Sequence, residues 1–363
     1  MKLVNNLKQL NQAIFQQRSA SSQSGPNRRI VLASRPVGRP RLENFRLEHS
    51  EMPEVDDHQI LLRTLFLSLD PYMRGRMSDA SSYTEPVAVG EVMGGGTVAR
   101  VEVSRNSNFA EGDLVLSNSG WQDYSVSTGE GVMKLGEDFA QPSLALGVLG
   151  MPGFTAYMGL LDIGQPLAGE TIVVGAASGA VGSVVGQIGK IKGCRSVGIA
   201  GGADKCRFVL ESLGFDACID RHAPDAERQL KAACPNGIDV YFESVGGEVF
   251  EWVLPLLNTR ARIPLCGLIS QYNDTMLPTG QDKLGLFTRT ILTKRLRVQG
   301  FIIFADYIDR YSEFAEQMGQ WVRQGKVKFL EDIVEGIEQA PQAFIGLLEG
   351  KNFGKLIVRV NGE

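Results

Sequence analysis

The stretch that most constrains the fold is an apolar run that ends in a glycine-rich turn, within residues 171–190. The run Thr171–Val174 is β-branched and uncharged, as in a strand buried on both faces. Small residues follow up to Gly182, and apolar residues then recur at helical spacing as far as Lys190. A strand, a tight turn and a helix N-terminus form a phosphate cradle, because the free N–H groups and the helix dipole favour an anion there. The sequence therefore predicts a dinucleotide site at this turn.

Length and charge bound the class of protein. A chain of 363 residues, 43% of them hydrophobic, exceeds one ordinary core and favours two domains. Its net charge is −4 and it has no basic stripe, so nucleic acid is not expected as a partner. Two uncharged runs, 139–161 and 171–189, contain several turn-forming glycines, and we therefore expect no membrane span.

The cysteines and the N-terminus bear on the compartment. All 5 cysteines lie in the second half of the chain without paired spacing, which favours a reducing compartment, and we expect a cytoplasmic protein. Residues 1–25 contain three basic residues and no acidic one. We interpret this segment as an extension outside the fold, with a mitochondrial transit peptide as the alternative.

Two patterns of secondary structure divide the chain. Residues 28–143 contain short strands between Gly, Pro, Asn and Asp turns, typical of a small barrel or sandwich. Residues 144–301 alternate strands with helices, which predicts a doubly wound parallel sheet. The strands predicted there are 171–175, 195–200, 217–219, 238–243, 261–266 and 296–302, with helices beginning near 179, 203, 224, 247 and 280. A helix to about 325, a helix at 341–349 and a strand at 355–360 follow, and the chain is expected to return to the first domain there.

This order of domains resembles the medium-chain dehydrogenase/reductase superfamily. Six motifs carry the resemblance: 67–74 (LSLDPYMR), 150–157 (GMPGFTAY), 176–182 (AASGAVG), 245–247 (VGG), 266–273 (CGLISQYN) and 350–355 (GKNFGK). They match its zinc-independent branch, which includes leukotriene B4 12-hydroxydehydrogenase/prostaglandin reductase and the bacterial NADPH-dependent curcumin/dihydrocurcumin reductases. The resemblance implies an α/β protein with a Rossmann NADPH-binding domain at 145–314. It also implies a GroES-like β-rich catalytic domain at 26–144 and 315–363.

The glycine turn resembles the A-A-x-G-x-V-G variant of this superfamily, because Ala177 stands where the first glycine of G-x-G-x-x-G would be. A structural turn between strand and helix is the alternative interpretation. The residues expected to contact the cofactor here are Ala177, Ser178, Gly179, Ala180 and Val181.

The choice between NAD and NADPH depends on the end of the second parallel strand. An acidic residue there would repel a 2′-phosphate, and Gly202 follows the strand instead. Lys205 resembles the 2′-phosphate-binding lysine of the prostaglandin reductases, with a solvated lysine as the alternative. Asp204 is counter-evidence to NADPH, because its carboxylate is suited to accept a hydrogen bond from the ribose 2′-hydroxyl of NAD. The alternative is that Asp204 caps the helix. We expect NADPH, with Arg221 as a further phosphate contact where the family has a nearby tyrosine.

The nicotinamide end is identified by resemblance. Ser244 replaces the asparagine that the family usually has before Val-Gly-Gly. Cys266, Gly267 and Phe301 follow two parallel strands and are expected to flank the nicotinamide. Asn352 occupies a family position that contacts the cofactor, and a loop asparagine without that role is the alternative.

The residues indicate chemistry without zinc. No cysteine precedes Cys194, and neither His49 nor His58 stands in a Gly-His-Glu context, so the zinc ligands of the alcohol dehydrogenases are missing. Reduction of a conjugated C=C bond needs no metal, because hydride adds to the β-carbon and a hydrogen bond stabilises the enolate that forms.

Two tyrosines are candidates for that hydrogen bond. Tyr272 lies in the loop after the fifth parallel strand, and Tyr72 follows an Asp-Pro turn in the first domain. By resemblance both contact substrate, and Tyr272 also contacts the cofactor. Packing with a peripheral O–H bond is the alternative for each, with water or the ribose as proton donor. Arg74 is either a substrate-binding residue or a purely structural one, with Asp70 as a candidate partner.

The sequence therefore predicts NADPH-dependent reduction of the C=C bond in α,β-unsaturated ketones or aldehydes, curcumin-type enones included. Quinone or carbonyl reduction is the alternative activity, and NADPH binding without turnover is the alternative of another class. The resemblance also implies a homodimer, formed by edge pairing of the last Rossmann strand. The alternation in Arg295–Gly300 is that of an edge strand.

Overall fold

A computed structural model describes residues 27–80, 82–136, 141–275 and 282–362. The extension predicted at 1–25 lies outside these residues. The described chain forms a six-stranded sheet, a seven-stranded sheet and a two-stranded sheet, with helices packed around the first. None of the helices in these ranges is long and apolar enough to span a membrane.

The strands are β1 (Asn27–Leu32), β2 (Phe45–Ser50), β3 (Ile60–Ser68), β4 (Thr97–Ser104), β5 (Leu114–Ser117), β6 (Tyr124–Ser127), β7 (Met133–Lys134), β8 (Thr171–Val174), β9 (Arg195–Ala200), β10 (Ala217–Asp220), β11 (Ile238–Phe242), β12 (Leu257–Leu265), β13 (Arg297–Gly300), β14 (Glu331–Glu335) and β15 (Lys355–Arg359). The α-helices are α1 (Met73–Arg76), α2 (Met151–Met158), α3 (Gly182–Ile191), α4 (Ala203–Glu211), α5 (Ala226–Ala233), α6 (Gly247–Val253), α7 (Leu284–Lys294), α8 (Ile303–Asp306), α9 (Tyr311–Arg323) and α10 (Ala340–Leu348).

The six-stranded sheet confirms the predicted doubly wound fold. Its order is β10-β9-β8-β11-β12-β13 and all five pairings are parallel. In order of appearance this is 3-2-1-4-5-6, the Rossmann order. The apolar run of β8 is buried at every residue, because neighbours flank it on both sides and helices cover both faces.

The seven-stranded sheet forms the β-rich domain. Its order is β14-β15-β3-β4-β5-β7, with β6 also paired to β3. The C-terminal strand β15 pairs antiparallel with β3, so the end of the chain joins the sheet built by its first half. The strand pattern of the sequence missed β14, whose Glu-Asp start breaks the alternation that marks a half-buried strand.

The helix α9 bears on the domain boundary expected at 314/315. Its Phe314, Met318 and Trp321 are buried in the same core as Phe154 of α2. This core covers the parallel sheet, so a boundary at 314/315 would cut a helix that packs as one unit. We propose that the second domain extends through α9, to about residue 327.

Candidate active site

A large cleft runs between the two domains. Its cavity volume is about 1710 Å³, above the ~300–1,000 Å³ typical of a single small ligand. The β8–α3 turn and the segments after β9, β11, β12 and β13 form one wall, at the carboxyl ends of the parallel strands. The β3–α1 turn and residues 347–356 form the other wall. The cleft therefore has room for a dinucleotide and a second molecule beside it.

The β8–α3 turn has the shape of a phosphate cradle. Ala176 takes a left-handed conformation (φ 47°), which turns the chain sharply after β8. A Cβ at Gly182 would lie 2.5 Å from the Ala176 carbonyl oxygen, so only glycine allows this closeness at the start of α3. The predicted contacts that line the cleft are Ser178, Gly179, Ala180 and Val181.

Ala177 does not line the cleft, although it was predicted to contact the cofactor. Its side chain is fully buried, and its N–H donates to the carbonyl of Ile199 at 3.0 Å. A Cβ at Gly198 would lie 2.7 Å from the Ala177 Cβ. Ala177 therefore shapes the turn by packing against β9.

Three basic side chains line the cleft at the end of β9. They are Lys205, Arg221 and His222. The Lys205 ammonium donates to the carbonyl of Gly350 at 2.6 Å, and burial together with Arg221 lowers its pKa. Such a cluster suits a phosphate dianion. His222 was missed from the sequence, where it appeared only as part of a departure from the family pattern.

Two residues near this cluster are not among those that line the cleft. The Asp204 side chain is 84% exposed and pairs with Arg207 at 3.2 Å, which weakens the case for a 2′-hydroxyl ligand there. Gly202 was a predicted cofactor contact, but it does not line the cavity. It has φ 97° and its N–H donates to Asp220 Oδ1 at 2.8 Å, so it serves the backbone turn that begins α4.

The loops after β11, β12 and β13 meet at the opposite end of the cleft. Ser244, Cys266, Gly267 and Phe301 all line it, as predicted for the nicotinamide end. Burial raises the pKa of the Cys266 thiol to about 12, so the thiol is neutral at physiological pH. The position of Phe301 is fixed by an edge contact with Phe242, with ring centroids 6.5 Å apart.

Glu243 holds the loop that carries Ser244. Its Oε1 accepts the N–H groups of Val245 and Gly246 at 2.6 and 2.8 Å, and the residue is almost fully buried. Burial raises the pKa of this carboxyl, which also accepts the Tyr241 hydroxyl at 3.3 Å. Glu243 therefore acts on the site through the loop backbone.

A contact between the domains crosses the middle of the cleft. Gly179 of the phosphate cradle forms an isolated parallel β-bridge with Gly354, just before β15. Asn352 lines the cleft beside this bridge, and its side-chain amide donates to the Gly354 carbonyl at 2.8 Å. Its carboxamide oxygen has no such bond among the described residues, so it is available to a ligand.

Both candidate tyrosines line the cleft, one from each domain. The Tyr272 hydroxyl accepts the Leu268 N–H at 3.4 Å, and a methyl group at Gly267 would lie 2.9 Å from it. Burial raises the pKa of Tyr272. Burial and the negative charge of Asp70 raise the pKa of Tyr72. Both hydroxyls are therefore protonated donors at neutral pH.

Arg74 has a structural position, as in the second of its two interpretations, but its partner is not Asp70. It does not line the cavity, and it does not pair with Asp70. Its guanidinium is buried and donates to Asn273 and to a backbone carbonyl. Arg76, by contrast, does line the cavity, and its Cζ lies 5.7 Å from the Tyr72 ring centroid and 4.4 Å from that of Tyr83. Two arginines only two positions apart cannot be distinguished by a sequence pattern.

A buried ion pair forms the floor of the cleft. Lys355 Nζ donates to Asp70 Oδ1 at 2.7 Å and to the Leu69 carbonyl at 3.0 Å. The second carboxylate oxygen of Asp70 accepts the Ser68 hydroxyl. This network fixes the turn that precedes Tyr72, and sequence reasoning missed it because its two ends lie far apart in the chain.

In residues 27–80, 82–136, 141–275 and 282–362, no three His, Cys, Asp or Glu side chains are grouped so that they could hold a metal ion.

The chain is similar to proteins of known name and structure. A family model described as the N-terminal domain of oxidoreductases matches residues 28–135, and one described as zinc-binding dehydrogenase matches 180–321. The chain is 61% identical over 337 residues to the NADPH-dependent curcumin reductase of Escherichia coli (strain K12), covering 93% of this chain and 98% of that protein. It is 42% identical over 326 residues to prostaglandin reductase 1 of Rattus norvegicus, covering 89% and 95%. The crystal structure of CurA in complex with NADPH from Vibrio vulnificus is 61% identical, with a TM-score of 0.91 over 93% of this chain and 100% of that chain.

Proposed function

Because the chain belongs to the zinc-independent branch of the medium-chain dehydrogenase/reductase superfamily, we propose that it is an NADPH-dependent reductase of the C=C bond in α,β-unsaturated ketones and aldehydes, including curcumin-type enones. One observation supports the proposal independently of family membership. A single cleft contains a phosphate cradle, a basic cluster and two protonated tyrosine hydroxyls. An enone reductase needs both ends, since one holds the cofactor and the other stabilises an enolate.

The cofactor end fits NADPH. The cradle at Ser178–Val181 presents backbone N–H groups to a pyrophosphate, and the close approach at Gly182 leaves no side chain in the way. Lys205 and Arg221 supply positive charge for the 2′-phosphate, and His222 lines the cleft with them. Ser244, Cys266, Gly267 and Phe301 would flank the nicotinamide, and Asn352 would offer its carboxamide oxygen. The bound cofactor supplies a hydride to the substrate.

The tyrosine end stabilises the charge that develops on the substrate. When hydride adds to the β-carbon of an enone, negative charge collects on the carbonyl oxygen. A hydrogen bond from Tyr272 or Tyr72 to that oxygen stabilises the enolate, because both hydroxyls keep their protons at neutral pH. The α-carbon then takes a proton from a tyrosine, the ribose or water.

The test is anaerobic NADPH oxidation with a panel of simple enones and curcumin, with the products identified by mass. We expect products that are two mass units heavier and saturated at the C=C bond. Semiquinone or alcohol products would assign the chain to quinone or carbonyl reduction. Tight NADPH binding without oxidation by any acceptor would indicate a binding protein and contradict the proposal.

The outer edge of the parallel sheet supports a homodimer. The strand at this edge is β13, and among the described residues it pairs only with β12. Its other edge is therefore free to pair with a second copy of the chain. The preceding helix α7 exposes Leu284, Leu286 and Leu292, the last at 77%. Light scattering after gel filtration should give the mass of a dimer, and Leu292→Glu should weaken it. A wild-type monomer at micromolar concentration would contradict this.

The thiols support a cytoplasmic protein. All five cysteines are free, and burial raises the pKa of each of the five thiols. A reducing compartment preserves free thiols. Fractionation of the native cells should place the protein with cytoplasmic markers.

A further inference from the structure

A buried arginine joins the two walls of the cleft next to both candidate tyrosines. Arg74 is 5% exposed and lies in α1, two residues after Tyr72. Its Nε donates to the Oδ1 of Asn273 at 3.2 Å, and its Nη2 donates to the Gly38 carbonyl at 2.8 Å. Asn273 immediately follows Tyr272 on the other wall. We call these three residues, Arg74, Asn273 and Gly38, the Arg74 bridge.

The two segments that the Arg74–Asn273 hydrogen bond joins each carry one of the candidate tyrosines. On one side, the Arg74 N–H donates to the Pro71 carbonyl and the Gly75 N–H donates to the Tyr72 carbonyl, so Tyr72 and Arg74 share one tight turn. On the other side, a single 3₁₀ turn at Ile269–Gln271 leads directly into Tyr272. A displacement of the guanidinium therefore moves both tyrosines relative to each other.

Ion pairing does not explain why the charged side chain of Arg74 is buried. No carboxylate lies within ion-pair distance of its guanidinium in the described part of the chain. Burial of a cation without a counter-charge costs free energy, and an apolar side chain would avoid that cost. An apolar side chain cannot replace the planar guanidinium, which donates hydrogen bonds to two loops at once.

We propose that Arg74 is a positioning residue, which sets the separation of Tyr72 and Tyr272 by bonding the first domain to Asn273 of the second. The kinetic consequence of this inference rests on the proposed function. The geometry of the Arg74 bridge is independent of that function. Arg74 is buried and is not among the residues that line the cavity, so we assign it no direct contact with substrate or cofactor. Arg74 acts on the reaction through the hydroxyls of Tyr72 and Tyr272, which must both approach the carbonyl oxygen of the substrate.

The kinetic test is a double-mutant cycle of Arg74→Met and Asn273→Ala, assayed with a simple enone. Each single variant should lower kcat about 10- to 100-fold, since a misplacement of about 1 Å can cost 10²-fold. The KM for NADPH should stay unchanged, and the double variant should lose no more than either single one. Arg46→Met is the matched control, because Arg46 is an exposed arginine of β2 that pairs with Glu48. It should keep wild-type kinetics.

The second test reads the geometry without turnover. The chain has 8 tyrosines, and 3-fluorotyrosine labels all of them for ¹⁹F NMR. Tyr72→Phe and Tyr272→Phe assign the two resonances of interest. In both Arg74→Met and Asn273→Ala these two resonances should shift, while those of the other tyrosines and of the Arg46→Met control stay in place.

Several results would overturn the inference. Unchanged kcat and unchanged fluorine resonances in Asn273→Ala would do so, as would kinetic losses that add in the double variant. If Arg74→Met fails to fold, Asn273→Ala decides alone, because Asn273 lies in a half-buried loop. If the wild type reduces no enone, the proposed function fails, and the fluorine resonances still decide the Arg74 bridge.

Discussion

At the scale of single residues, the site depends on how tightly the Tyr272 hydroxyl is held. It lies over Gly267 and accepts the Leu268 N–H, so the loop after β12 orients it before any ligand binds. Donors that are already oriented stabilise a developing oxyanion without reorganisation. Tyr72 approaches from the other domain and is held by α1. The two hydroxyls therefore have different supports, and their contributions are separable by mutation.

Tyr272→Phe should lower kcat by about 10²–10³-fold, the loss typical of one oxyanion donor. The KM for NADPH should remain close to that of the wild type, because the phenol ring is retained. Steady-state kinetics with a simple enone measure both values. A kcat within twofold of the wild type would show that Tyr272 is not the principal donor, and Tyr72→Phe would then carry the larger loss.

The pH profile is the control for that assignment. A tyrosine donates only while protonated, and burial raises the pKa of Tyr272 above its ordinary value of about 10. The donor form therefore persists to higher pH than for a free tyrosine, and kcat should show no alkaline loss below about pH 10. An alkaline limb below that pH which disappears in Tyr272→Phe would contradict a protonated donor.

Lys205→Met should weaken NADPH binding about 10- to 100-fold, because a hydrogen bond to a charged group contributes about 1.5–3 kcal/mol. NADH lacks the 2′-phosphate, so its affinity should not fall. Fluorescence titration with both cofactors gives the ratio. Asp204→Asn is the matched control, since that neighbour is exposed and pairs with Arg207. Equal losses for NADPH and NADH would show that Lys205 does not recognise the phosphate.

At the scale of elements, β15 is held to the turn after β3 by a buried ion pair. Lys355, at the start of β15, and Asp70 are only 5% and 8% exposed in their side chains. The same strand begins one residue after Gly354, which bridges to the cofactor cradle. One strand therefore connects the cradle to the turn that precedes Tyr72.

Lys355→Met should lower the free energy of unfolding by about 3–5 kcal/mol, because it leaves the Asp70 carboxylate buried and unpaired. Urea denaturation measures the loss. The double variant Asp70→Asn/Lys355→Met should recover part of it, since no charge is then stranded. Lys190→Met removes an exposed pair with Asp216 and should cost about 1 kcal/mol or less. Equal losses at both lysines would contradict the role of burial.

The elements also show what the sequence can and cannot predict. The strands of the parallel sheet were identifiable because β8, β9 and β11 are mostly apolar and glycine-containing turns follow them. The strand β14 was not, because its charged residues give no period-2 pattern. Cofactor contacts were predicted by position in a motif, so Ala177 and Gly202 were included although neither lines the cleft.

At the scale of the whole molecule, two hydrogen bonds join the domains at opposite ends of the cleft. Lys205 donates to Gly350 at the basic cluster, and Arg74 donates to Asn273 beside the tyrosines. The residues of these pairs are 145 and 199 positions apart in the chain. No local pattern encodes such pairs, which arise only when both sheets have formed and packed. This is why the fold followed from the sequence more completely than the site did.

The central claim is that hydride goes to the β-carbon of an enone in this cleft. The most direct measurement is anaerobic turnover of a simple enone with NADPH deuterated at C4, followed by NMR of the product. We predict a saturated ketone with deuterium at the β-carbon and a solvent-derived proton at the α-carbon. Deuterium on a carbinol carbon, or oxidation of the cofactor with no deuterium in an organic product, would contradict it.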